Sequence, residues 1–139
     1  MTEAGIESIP LFAALSPRER TRVAAVTRSL QFEVGQVVVQ EGEFAFNFYA
    51  IKEGMAEVRH RGEQMAVLRA GDVFGEMGVV RDDARRWTRR RRATVIVTSP
   101  THALVIDGVD FRRLTEEIPA LRDAVRATAA GRAAINGSG

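Results

Sequence analysis

Two hydrophobic periods divide the chain. Between Leu15 and Leu30 the apolar positions Leu15, Val23, Val26 and Leu30 fall near helical spacing, which predicts one amphipathic helix. Ser16-Pro17-Arg18-Glu19 marks its start: a serine N-cap, a proline at the first helical position and a glutamate placed to close a capping box. This helix is expected to run to about Ser29, with PLF at 10–12 packed beneath it and residues 1–9 as a loose N-terminal lead-in. From Leu30 the period falls to two. QFEV, QVVVQ, FNFYAIK, MAEVRH and QMAVLRA alternate with Gly35, Gly42, Gly54, Gly62 and Gly71. Later come ATVIVTS and THALVID, joined at Pro100. Short β-branched runs between regular turn signals predict an antiparallel sandwich or jelly roll. Glycine beside charge in EGE (41–43) and KEG (52–54) suits tight turns that need positive φ. Phe44, Phe46, Phe48 and Tyr49 read as core. The end turns helical again: Asp107 or Asp110 caps a short helix through Phe111 and Leu114, and Pro119 opens a last one. In that helix Leu121, Val125 and Ala129 fall at i, i+4 and i+8; its alanine-rich face is weak and needs tertiary contacts to hold it.

Composition narrows the class. A chain of 139 residues, 45% hydrophobic and 27% charged, is expected to form one globular domain with a real core. It holds no run of about eighteen apolar residues of the kind that spans a bilayer. MTEAGIESIP is acidic and lacks the apolar stretch of a secretory signal, so a cytoplasmic setting is expected. With no cysteine there is no disulfide and no thiolate chemistry. His60 and His102 are too few for a histidine-rich metal cage, and both read as structural.

Charge then singles out one stretch. Residues 81–92 carry seven arginines and two aspartates, a net +5, which leaves the rest of the chain at −3 against a total of +2. The body is mildly acidic, unlike a general nucleic-acid binder, and Trp87 is the one aromatic among those arginines, too few for a stacking platform. Just upstream, Gly75, Glu76 and Gly78 surround a short apolar turn. Backbone amides at such a turn attract an anion, and arginine adds a charge-assisted, geometrically selective contact to phosphate. A buried acid that reads a sugar hydroxyl discriminates well, because an analogue lacking the hydroxyl leaves it unpaired.

An ordered set of residues gives these features a family resemblance: PLF (10–12), Phe32, Gly35, EGE (41–43), FYAI (48–51), Gly54, AGDVFGEMG (70–78), RRATV (91–95) and DF (110–111). The chain resembles the cyclic nucleotide-binding domain of the catabolite activator protein and protein kinase A regulatory subunits. The resemblance covers roughly residues 10–129, within a domain expected over residues 10–136. It implies a mainly β fold with flanking α: an antiparallel, jelly-roll-like β-roll with an N-terminal helix and C-terminal helices. GSG at 137–139 reads, from its residues alone, as a flexible end or cloning remnant. The resemblance implies no catalytic residue and no metal, but a cyclic nucleotide as ligand, held in a phosphate-binding cassette. In that cassette Glu76 matches the acid that accepts from the ribose 2′-hydroxyl. Gly75, Met77 and Gly78 match the turn that approaches phosphate and ribose. Arg91 matches the phosphate arginine, with Arg92 and Ala93 supplying amides beside it.

The cassette is enlarged. Glu76 and Arg91 are fifteen residues apart, a longer interval than family members usually have. Arg85, nine residues after Glu76 at the start of R-R-W-T, stands as the alternative phosphate arginine. Arg91 is preferred because the strand after it continues in the family's register. Arg92 offers no hydroxyl where cGMP-selective members carry threonine, so cAMP is expected before cGMP. The base-capping candidates are Leu121, Val125 and Ile135 from the last helix, or Trp87 from the enlargement. Such a sensor is expected to signal through its C-terminal helices to an effector domain or protein, with homodimerisation open, and to bind no nucleic acid by this chain alone. The alternative is a ligand-free member of the same fold that meets a protein partner or an anionic surface through Arg81–Arg92.

Overall fold

The computed structural model describes residues 6–42, 47–75 and 93–136, with side chains to residue 128. Eight described strands form two four-stranded sheets. They are β1 (Thr27–Phe32), β2 (Val37–Val39), β3 (Asn47–Glu53), β4 (Met55–His60), β5 (Glu63–Arg69), β6 (Val73–Phe74), β7 (Thr94–Val97) and β8 (Thr101–Asp107). One sheet has the order β1-β8-β3-β6 and the other β2-β7-β4-β5. Every pairing is antiparallel. Three helices with described bounds pack against them: α1 (Pro17–Ala25), α2 (Gly108–Glu117) and α3 (Pro119–Asn136), with a 3-10 turn at Pro10–Phe12. This is the expected mainly β roll with helices at both ends.

The central strands explain the layering. β3 carries FYAI and β8 carries ALVI, apolar runs without alternation, as expected of strands covered on both faces. Phe48 and Ala50 of β3, Leu104 and Ile106 of β8 and Val73 of β6 join the helices in one cluster with Phe111, Leu114, Ile118, Leu121 and Val125. Their neighbours Tyr49, Ile51, Val105 and Phe74 turn the other way, into a second cluster with Val39, Ala56, Leu68 and Val95 of the facing sheet. The molecule is therefore three layers deep: helices, first sheet, second sheet. Phe48 sits at the junction, stacked on Phe111 at 4.0 Å and edge-on to Phe12 at 6.2 Å.

The N-terminal signals hold in part. Ser16 Oγ accepts from the Glu19 amide, and Glu19 Oε1 accepts from the Ser16 amide, a closed capping box. Ser16→Ala is expected to cost about 1 kcal/mol of stability, readable as a lowered urea midpoint. The helix, however, stops at Ala25 and not near Ser29. Residues 27–32 instead form β1, paired along all six positions with β8, from Thr27↔Ile106 to Phe32↔Thr101. Val26 and Leu30 match helical spacing by coincidence, and a six-residue ladder outweighs weak local preference. The pattern predicts a loose lead-in over residues 1–9, yet Ile6 and Ile9 are both fully buried in the helix-side cluster. The packed body thus starts before Pro10. At the other end, the choice between two caps falls on Asp107, whose carboxylate accepts from the Val109 amide at 2.8 Å.

Successive strands repeatedly change sheet, and Gly54 marks the tightest change. It lies between β3 in the first sheet and β4 in the second, at φ 111°. Directly against it runs the return crossing from β7 to β8. There Thr101 Oγ1 donates to the carbonyls of Met55 and Ser99, and the Thr98 amide also bonds Met55 O.

Candidate functional site

The enlarged arginine segment is rooted at two described flanks. The first is β6. Its two residues pair with β3, Tyr49↔Phe74 and Ala50↔Val73, and Tyr49 and Phe74 stack at 4.8 Å, nearly parallel. The turn before it is tied on both sides: the Gly71 amide bonds Ile51 O at 2.7 Å, and the Ile51 amide bonds Asp72 O at 2.8 Å. Asp72 Oδ2 also accepts from the Arg69 amide at 2.7 Å. Gly75 follows at once with φ 95°, a conformation that glycine adopts without the steric cost of a Cβ. The strand therefore ends in a sharp turn directly ahead of Glu76.

The second flank is Ala93 leading into β7. β7 lies between β2 and β4, with Val95 paired to both Val39 and Val58. Phe74 and Val95 belong to the same inter-sheet cluster, with Val39, Tyr49, Leu68 and Val105. Seventeen residues thus separate Gly75, at the end of a strand of one sheet, from Ala93, at the start of a strand of the other, and both strands contribute to one apolar cluster. Thr94, the first residue of β7, is tied at its hydroxyl, which accepts from the Glu41 amide at 2.9 Å. Glu41 reaches further: Oε1 accepts from the Arg61 amide at 3.0 Å and Oε2 lies 3.3 Å from His60 Nδ1.

Of the site residues read from the sequence, Gly75 and Ala93 are described, one at each flank. Glu76, Met77, Gly78, Arg85, Trp87, Arg91 and Arg92 lie outside the described residues, as do Phe44, Phe46 and the side chains of Ala129 and Ile135. Phe48 and Tyr49 are core, as expected. Two base-capping candidates do not serve that role here. Leu121 is fully buried and Val125 is 2% exposed, both in the cluster between helices and first sheet. The helical spacing that drew attention to them is the spacing of a core face, and nothing in the sequence distinguishes a lid from a core stripe.

The two histidines are cross-strand ties. His60 joins Glu41 as above. His102 of β8 has Nε2 2.9 Å from Ser29 Oγ on β1 and Nδ1 4.0 Å from Glu53 Oε1 on β3. A serine, a histidine and an acid in line suggest a hydrolytic triad, but 4.0 Å exceeds hydrogen-bond reach. Among the described residues no three histidine, cysteine, aspartate or glutamate side chains gather as a metal site. No described helix is long and apolar enough to cross a membrane. The Glu41 cluster was missed at the level of sequence, where EGE signalled only a turn; its partners come from segments 20 and 53 residues away.

Comparison with known proteins converges. Residues 29–117 match the family model described as the cyclic nucleotide-binding domain. The cAMP-dependent protein kinase regulatory subunit of Eremothecium gossypii is 33% identical over 126 residues, covering 88% of this chain and 26% of that protein. This chain spans about a quarter of the length of the curated relatives it matches. Among solved structures, the regulatory domain of Toxoplasma gondii PKA with cAMP superposes with a TM-score of 0.77 at 24% identity, covering 94% of this chain and 49% of that one. The regulatory subunit of a cAMP-independent protein kinase A from Trypanosoma brucei gives 0.80 at 20% identity, covering 94% and 46%. At these identities the superpositions speak for the fold.

Proposed function

The chain belongs to the cyclic nucleotide-binding domain family, and from that premise we propose that it is a regulatory module that binds a 3′,5′-cyclic nucleotide, cAMP before cGMP. The ligand lies over the inter-sheet cluster between Gly75 and Ala93. Glu76 accepts from the ribose hydroxyl. The amides of Gly75, Met77 and Gly78 face phosphate and ribose, and Arg91, flanked by the amides of Arg92 and Ala93, pairs with the phosphate. The observation that carries this reading is the shared root of the two half-motifs: Phe74 and Val95 lie in one apolar cluster. The strand that leads to the acid and the strand that follows the arginine thus belong to two different sheets and share one apolar cluster. A fold relative crystallised with cAMP, the regulatory domain of Toxoplasma gondii PKA, is in keeping with it.

The output runs through the C-terminal helices. α2 and α3 meet at Ile118, which is 1% exposed, and both pack on the face of the first sheet opposite the proposed site. A ligand acts on them only by its differential affinity for two arrangements of that packing. Isothermal calorimetry of the wild type with cAMP and cGMP tests the reading. Saturable one-site binding, tighter for cAMP, is expected; no heat at millimolar ligand overturns it.

One observation favours a second reading. The same fold occurs in a protein described as a cAMP-independent kinase regulatory subunit, and this chain's arginine segment carries a net +5. Under that reading Arg81–Arg92 meets an acidic partner or anionic surface without nucleotide. Association that weakens steeply with salt and ignores cAMP is its signature.

A further inference from the structure

We propose that Glu41 is a positioning residue for the phosphate arm, holding the root of that arm in place from outside the cassette. The inference rests on the reading of the site given above and adds to it a residue that touches no ligand.

Glu41 connects three segments. Its backbone amide donates to Thr94 Oγ1 at 2.9 Å, and Thr94 directly follows the arm Arg91–Ala93. Its carboxylate is spent on the β4–β5 turn: Oε1 accepts from the Arg61 amide at 3.0 Å, and Oε2 lies 3.3 Å from His60 Nδ1. Arg61 is the one described non-glycine residue with positive φ, at 52°, so this turn holds a costly backbone conformation that its surroundings must impose. A carboxylate accepting from a backbone amide is stronger than a neutral pair. The side chain of Glu41 is 31% exposed, and Glu57 of β4 pairs with Arg59 instead. The β4–β5 turn is thus an anchor, Glu41 is the link, and Thr94 is what the link holds.

The consequence concerns the arm. β2 is only three residues long, and its register with β7 shifts between Val37 and Val39. On that side the ladder reaches no further than Val39↔Val95, and Thr94 is held there by the Glu41 amide. Without the carboxylate, the segment at Glu41–Gly42 is tied less firmly to the β4–β5 turn, and the amide holds Thr94 from a less fixed position. The arm then samples more orientations, and phosphate contacts that depend on a fixed geometry weaken. The side chain's role is acceptance of hydrogen bonds, so glutamine should largely replace it and alanine should not.

The test is cAMP calorimetry on the full chain with Glu41→Ala, Glu41→Gln, Thr94→Val and the double variant Glu41→Ala/Thr94→Val, alongside thermal melting of each. About a tenfold loss of affinity is expected for Glu41→Ala and for Thr94→Val, with Glu41→Gln within about threefold of wild type. Because both act through one link, the double variant should bind about as well as either single one. Melting temperatures should fall by only a few degrees, with every variant still fully folded at the temperature of the binding measurement. Equal binding by wild type and Glu41→Ala overturns the inference while leaving the site intact. So does a loss shared equally by Glu41→Gln, or one that tracks unfolding at the temperature of the binding measurement. A wild type that binds no cAMP overturns the site reading and this inference together.

Discussion

Glu76→Gln is expected to weaken cAMP binding by roughly 30- to several-thousand-fold, and Arg91→Lys by a similar factor. The range is that for removing one partner of a charge pair, about 2–5 kcal/mol, which applies to Arg91 and phosphate; the charge-assisted bond from Glu76 to a hydroxyl belongs at its lower end. Glutamine keeps the size of glutamate but loses the charge that strengthens acceptance from a ribose hydroxyl. Lysine keeps the charge of arginine but cannot offer the planar fork that meets two phosphate oxygens at once. Arg85→Lys is the control within the same segment, and it should bind within about threefold of wild type. The geometry behind this choice is the root of the arm: Arg91 lies three residues before Thr94, the first position of β7, whereas Arg85 lies nine before it. Calorimetry with all three variants decides the matter. Should Arg85→Lys abolish binding while Arg91→Lys leaves it intact, the phosphate arginine belongs to the enlargement and the register of the cassette shifts with it.

Gly54→Ala is expected to destabilise the fold by about 3 kcal/mol or more, a large part of the ~5–15 kcal/mol that holds a domain together. A Cβ at this position would lie 2.3 Å from Thr101 Oγ1 and 2.7 Å from both Pro100 O and Thr101 Cα. Two of those three atoms are backbone, so no rotamer change relieves the contact. The residue also holds φ 111°, which adds strain for any side chain. Overpacking of this kind costs about 1–3 kcal/mol by itself. Gly35→Ala supplies the comparison, because Gly35 has φ 89° but nothing within 4 Å of a Cβ. It should show strain alone, about 1–2 kcal/mol. Urea denaturation of the pair measures the difference. Equal losses would falsify the account of Gly54 as the point where two sheet crossings press together.

Much of the local structure was legible in the residues because its causes are local. The capping box at Ser16–Glu19 closes within one turn, and the glycines at 35, 42 and 54 do adopt positive φ. The doubly apolar runs in β3 and β8 announce their burial. The half-motifs around Gly75 and Ala93 were legible for another reason: residue types and order resemble those of a family whose membership the comparisons bear out. Three readings went astray where the deciding partner was far away in the chain. Residues 27–29 continue a helical pattern until β8, some 75 positions later, supplies a ladder. Ile6 and Ile9 look like a tail until α2, α3 and the first sheet enclose them. Leu121 and Val125 could face a ligand or a core on periodicity alone.

By itself, then, the sequence determined most of the elements, several caps and turns and the family, because each depends on neighbours within a few residues or on an ordered motif. The tertiary structure alone decided which strands share a sheet and which faces become core. It also decided that the strands on the two sides of the arginine segment belong to different sheets, and that Glu41 meets Thr94, His60 and Arg61. Those outcomes depend on pairings across many tens of residues, where burial and cross-strand hydrogen bonds outweigh any local preference.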